Sequence, residues 1–124
     1  MMSEEIIHIT ETLLQHNRLF LEYYQEARET GITKDFHEVI KPFADEVKAL
    51  TEQWKGIMIK WLAETSPKHI HLKQIDTTTE HIELLSIQCF FSNTSKKRFL
   101  DTNRTVEFFL QEILKEVGKD KRDA

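Results

Sequence analysis

The stretch FHEVIKPFADEVKALTEQWKGIMIKW, residues 36–61, decides the fold. Within it Phe36, Ile40, Phe43, Val47, Leu50, Trp54, Ile57 and Trp61 recur alternately four and three residues apart. That spacing sets eight large apolar side chains along one face of a long helix. A stripe of this size exposed to water would aggregate, so other helices must cover it. It predicts that Phe43, Val47, Leu50, Trp54 and Ile57 are nearly inaccessible to solvent.

The rest of the chain supplies the covering helices. Ser3 is placed to cap a first helix, with Glu4 and Glu5 where the helix dipole favours negative charge. Ile6, Ile9, Leu13, His16, Phe20, Tyr23 and Ala27 follow the same three–four spacing, and Gly31 marks the stop. Asp35 and Glu38 stand as N-cap and third residue of the second helix. Pro42 then either kinks that helix or breaks it into a turn at 36–40 and a new start; the stripe stays in phase, which favours a kink. The second helix should end near Thr65, before Ser66 and Pro67.

His71 as N-cap makes Gln74 the third residue and pairs Ile70 with Ile75 as a hydrophobic staple. The third helix buries Ile75, Thr78, Ile82, Leu85 and Cys89, flanked by Leu84 and Phe91. The fourth buries Phe99, Asn103, Val106, Leu110, Ile113 and Val117, and stops near Gly118. Residues 119–124 form a charged tail with nothing to pack, expected to fray. The expected helices are thus 3–30, 36–65, 72–93 and 95–118, one domain over residues 1–124. Short connections make successive helices antiparallel neighbours, so the fold class is all-α, an up-down-up-down four-helix bundle.

Composition narrows the function. At 124 residues the chain builds one core without staples. A net charge of −4 argues against nucleic acid, whose phosphates need a basic face. No uncharged stretch approaches the ~20 residues that span a bilayer, and no signal peptide is visible, so no membrane role is expected. The single Cys89 has no internal partner and fits a reducing cytoplasm.

Several short motifs resemble a known family. PKHIHLKQI at 67–75, followed by Lys96, Lys97, Arg98 and Phe99, is similar to the YppE-like family of small bacterial proteins. Ile40, Lys41 and Pro42, with Trp54 twelve residues after the proline, look the same way. The similarity covers almost the whole chain at matching length. It implies a four-helix bundle of unknown function in a bacterial cytoplasm, and it carries over no catalytic residue.

The chemistry-bearing residues point weakly. A di-metal bundle site needs two Glu-x-x-His units, and only Glu5 with His8 forms one. Glu80 with His81, and His37 with Glu38, are adjacent and diverge on a helix. A mononuclear site would need His16, His69, His71 or His81 to converge; nothing in their spacing requires it, so no metal and no cofactor is expected. Cys89 sits in a core stripe and reads as packing, not as a nucleophile. Trp54 and Trp61 read as core, although such rings can line a ligand cavity.

Two features remain. Lys96, Lys97 and Arg98 crowd the positive end of the fourth helix if it starts at Ser95, and an anion or acidic partner would relieve that conflict. His16 and Asn103 are the polar exceptions in their stripes and lie at similar depth, so they are expected to hydrogen-bond as a structural polar pair. The functional expectation is a non-enzymatic, cytoplasmic binding or regulatory module acting through its surface. Its expected partner is another protein, and the chain itself is expected to be a monomer or homodimer. The alternatives are a metal-dependent bundle enzyme and a small-anion or phosphometabolite binder at residues 96–98.

Overall fold

The computed structural model describes the backbone of residues 2–123 and the side chains of residues 2–119. Four long helices form it: α1 (Met2–Thr30), α2 (Lys41–Thr65), α3 (Leu72–Gln88) and α4 (Lys96–Asp123). A five-residue π-helical turn, Phe36–Ile40, leads into α2. Each helix packs on its neighbours in sequence, and α4 closes back on α1. The result is the up-down-up-down bundle that the stripes predict.

α1, about 43 Å long at 1.5 Å per residue, buries Ile6, Ile9, Leu13, Phe20 and Ala27 as the spacing requires. Two positions differ: Asn17 and Tyr24 face the core, whereas His16 and Tyr23 are half-buried. A strict seven-residue repeat drifts by about 20° per heptad from a straight helix. The inward line therefore slides onto the next residue. Gly31 ends α1 with φ +66° and its N–H on the Ala27 carbonyl at 2.8 Å.

The same rotation corrects the stripe of α2. Val47, Thr51, Trp54, Met58 and Trp61 face the core. Phe43, Leu50 and Ile57, expected there, are only partly buried against it, and Phe36 is 52% exposed. The stripe is wide enough to hold two columns of side chains. The column of Leu50 and Ile57 lies at the seam with α1. Thr51 is tolerated inside because its hydroxyl donates to the Val47 carbonyl at 2.6 Å. Trp54 ties the seam by donating its indole N–H to Thr10 Oγ1 at 3.1 Å.

Pro42 neither breaks the helical path nor sits in an ordinary α ladder. Ile40 and Lys41 both keep right-handed helical dihedrals, and the Lys41 N–H reaches the Phe36 carbonyl. This wider turn accommodates a ring that would clash with the carbonyl four residues back. Asp35 caps the turn, its carboxylate accepting the Glu38 N–H at 2.7 Å. α2 ends at Thr65, with Ser66 left-handed at φ 45°.

α3 starts as expected. The Gln74 side chain accepts the His71 N–H at 2.7 Å, the reach-back half of a capping box. Ile70 and Ile75 are both buried in the one core cluster. The helix ends at Gln88, five residues before 93, because Phe90 and Phe91 bond only three residues back and close the turn. Tyr24 fixes that turn by donating to the Thr94 carbonyl. Ser95 then opens α4, its carbonyl accepting the Phe99 N–H at 2.9 Å. α4 passes through Gly118 to Asp123, so the expected stop at Gly118 is not found; Ala124 lies outside the described residues. Leu85, Val106 and Leu110 are fully buried, as are Phe99, Ile113 and Val117.

Candidate functional site

The polar pair in the core is real but has a different first member. Asn103 donates from Nδ2 to the Asn17 carbonyl and to Asn17 Oδ1, each at 2.9 Å. Asn17 returns a bond from its Nδ2 to the Asn103 carbonyl at 2.9 Å. His16, the expected partner, bonds instead through Nδ1 to the Thr12 carbonyl of its own helix. The reciprocal amides join α1 to α4 deep in the bundle, and Arg18 with Glu107 adds an ion pair above them at 3.1 Å.

The remaining histidines do not gather. His8 on α1, His37 on the π turn, and His69 and His71 in the connection before α3 are all exposed, and His81 on α3 is half-buried. Among the described residues no three His, Cys, Asp or Glu side chains come close enough to hold a metal ion. The one Glu-x-x-His unit, Glu5 with His8, lies on the α1–α2 seam beside Leu50 and Ile57, facing out. Cys89 is fully buried, and desolvation pushes its thiol up to about 12, far from a reactive thiolate.

One end of the bundle is different in character. Here the end of α1, the π turn, the start of α2 and the segment after α3 enclose a pocket of about 280 Å³. Tyr23, Phe43 and Phe90 pave its floor. Tyr23 stacks on Phe90 at 5.4 Å, and Phe43 meets both rings edge-on at 5.5 Å. Ala27 and Val39 form the apolar walls, with Thr30 and Ile32 toward the rim. Two charges stand among the lining groups: Lys34 Nζ lies 3.4 Å from Glu26 Oε1, both side chains about half exposed. Trp54 and Trp61 take no part in this lining; both are buried inside the bundle.

The same end carries an apolar rim and a basic turn. Ile32, Phe36 and Val39 are 65%, 52% and 39% exposed. Lys96, Lys97 and Arg98 occupy the first turn of α4 and are all exposed, as their position requires. Among the described residues none of the three takes part in an ion pair. Arg28, on the last turn of α1, braces this region by donating to the Ser92 carbonyl and to the Tyr24 hydroxyl, each at 3.2 Å.

The pocket escaped the sequence because it forms only where the chain folds back on itself: eight of its nine lining residues lie between 23 and 43, on both sides of the turn after α1, and Phe90 joins them from beyond α3. Its one local signal was the scatter of apolar residues, Ile32, Phe36, Val39 and Ile40, between Gly31 and Pro42.

Fold and topology together define a small all-α protein of the four-helix-bundle class. Residues 10–117 match the bacterial domain of unknown function DUF1798, and the chain belongs to that family. The uncharacterized protein YppE of Bacillus subtilis is 26% identical over 120 residues, covering 97% of this chain and 98% of that protein. The crystal structure of YppE superposes with a TM-score of 0.93 at 25% identity, over 98% of this chain and 99% of that one. A Listeria innocua protein of unknown function superposes at 0.92 with 23% identity, over 98% and 97% of the two chains. No helix among the described residues is long and apolar enough to cross a membrane.

Proposed function

We propose that this protein is a non-enzymatic cytoplasmic binding module, and that its working surface is the end of the bundle that carries the π turn. The observation behind this reading is the concentration of exposed apolar side chains there. Three of the eight large ones among the described residues, Ile32, Phe36 and Val39, fall within eight residues, and two of them, Ile32 and Val39, line a pocket paved with aromatic rings. Apolar patches rimmed by charge mark interaction surfaces more often than chance exposure does. π turns also tend to occur where helices serve a function.

The partner is another protein, with an apolar anchor for this rim and acidic groups for Lys96, Lys97 and Arg98. The basic turn supports that chemistry, because the α4 dipole already places positive potential where three cations project. The metal-dependent alternative finds no ligand set among the described residues.

The test is affinity capture from bacterial cytosol with three forms of the protein. The double variant Ile32→Glu/Phe36→Glu should lose the captured partner. Charge reversal at Lys96, Lys97 and Arg98 should weaken capture and flatten its salt dependence. A distant surface variant, Leu84→Glu/Ile87→Glu, should behave as wild type. If that variant loses the partner while the other two keep it, the working surface is the outer face of α3.

A further inference from the structure

We infer that the aromatic pocket at the π-turn end is a binding site for a free apolar α-amino acid of the size of phenylalanine. Three observations lead there, none of which depends on a protein partner. The pocket is compact: about 280 Å³ lies at the lower edge of the range for small-ligand sites, roughly 300–1,000 Å³. That suits a single ring or branched side chain. Its floor is aromatic, with Tyr23, Phe43 and Phe90 in mutual contact, so the buried part of the ligand must be apolar and fits best if it is itself a ring.

The charges select the rest of the ligand. Glu26 and Lys34 present one negative and one positive group 3.4 Å apart among the pocket-lining residues. A simple carboxylate or phosphate would gain Lys34 but meet Glu26. A simple amine would gain Glu26 but meet Lys34. An α-amino acid carries an ammonium and a carboxylate on one carbon, a doublet of opposite sense that satisfies both at once. The existing ion pair is half exposed, and such pairs are worth little in water. Opening it to admit the zwitterion therefore costs little, and both charges are paired again in the complex. The ring then lies on the aromatic floor, and the α-carbon sits at the mouth.

The experiment is a titration of the full chain with L-phenylalanine, followed by calorimetry and by amide chemical shifts. Saturable binding at one site is expected, with shifts clustered at Tyr23, Ala27, Lys34, Phe43 and Phe90. Two analogues test the charge argument. N-Acetylphenylalanine lacks the ammonium and phenylalanine amide lacks the carboxylate; each should bind about three- to fivefold more weakly, the scale of one exposed ion pair. Lys34→Met and Glu26→Gln are surface changes that leave the fold intact, and each should weaken L-phenylalanine and reduce the preference over one analogue. Thr30→Trp should block the mouth. If either analogue binds as tightly as the amino acid, the site takes a polypeptide terminus or a plain apolar group and the inference is overturned. No shift at millimolar L-phenylalanine also overturns it. Ile32 lines the pocket and is shared by both readings, so the protein-partner reading is judged separately on Phe36 and the basic turn.

Discussion

The paired amides of Asn17 and Asn103 allow a prediction worked from individual bonds. Replacing Asn17 with Leu removes the donor to the Asn103 carbonyl and the Oδ1 acceptor of Asn103, and leaves Asn103 Nδ2 one bond, to the Asn17 carbonyl. Replacing Asn103 with Leu removes both bonds from its own Nδ2 and leaves Asn17 Oδ1 without that donor. Net, a hydrogen bond contributes about 0.5–1.5 kcal/mol, and an orphaned buried group costs about 1–3 kcal/mol. Each single change should therefore destabilise by roughly 1–3 kcal/mol. The bond from Asn103 Nδ2 to Asn17 Oδ1 is lost in both singles but only once in the double, and the double leaves no amide orphaned. The double variant should then lose at least about 1 kcal/mol less than the sum of the singles. Urea denaturation with an unchanged slope measures all four proteins. Losses that add to within about 0.5 kcal/mol would refute the coupling. His16→Leu is the control: its ring nitrogen bonds only to its own helix, so the cost should stay under about 1 kcal/mol.

Three further outcomes follow from burial and backbone geometry. Met58→Ala, at a fully buried position, should cost about 2–5 kcal/mol, and Leu50→Ala clearly less, because Leu50 lies at an open seam; denaturant midpoints rank the two. Gly31→Ala should destabilise by about 1–2 kcal/mol through its left-handed φ alone, since an added Cβ meets nothing, whereas Gly118→Ala inside α4 should stabilise by about 0.5–1 kcal/mol. Cys89 should resist alkylation in the native state at neutral pH and react once unfolded. Its thiol pKa is raised from 9.0 to about 12, so the folded state holds the proton longer than the unfolded one. This contribution is unchanged below pH 9.0 and falls as pH rises from there toward 12, by at most about 1.4 kcal/mol per pH unit; alkaline unfolding of Cys89→Ala tests it.

The fold was legible where the signal is local or repeats over many turns. The stripe of α4 identified Phe99, Asn103, Val106, Leu110, Ile113 and Val117, and all six are buried. The start of α3 was legible because Gln74 reaches only three residues back. Its end was not: the apolar pattern runs on through Phe90 and Phe91, and what holds the turn is a hydroxyl from Tyr24, seventy residues away. His16 hid Asn17 because a polar residue already stood on the strict heptad line. Allowing the line to drift at 3.6 residues per turn would have brought Asn17, Tyr24, Thr51 and Met58 inward together. The pocket depends on that same rotation, which turns Tyr23 out of the core and toward Phe43 and Phe90.

The π turn also gives the chain a place where its length can change. An N–H that reaches five residues back, as that of Lys41 does to Phe36, encloses one residue more than an α ladder, yet the backbone leaves it still helical. Deleting one residue there, with Pro42 replaced by a residue that has an N–H, would let the ladder close to ordinary spacing without rotating α2. Val47, Trp54 and Trp61 would keep their inward aim. The same deletion between 43 and 61 would turn every later side chain of the helix by about 100°, at 3.6 residues per turn. Tolerance to insertion and deletion is therefore uneven along this helix, and the tolerant position forms one wall of the pocket.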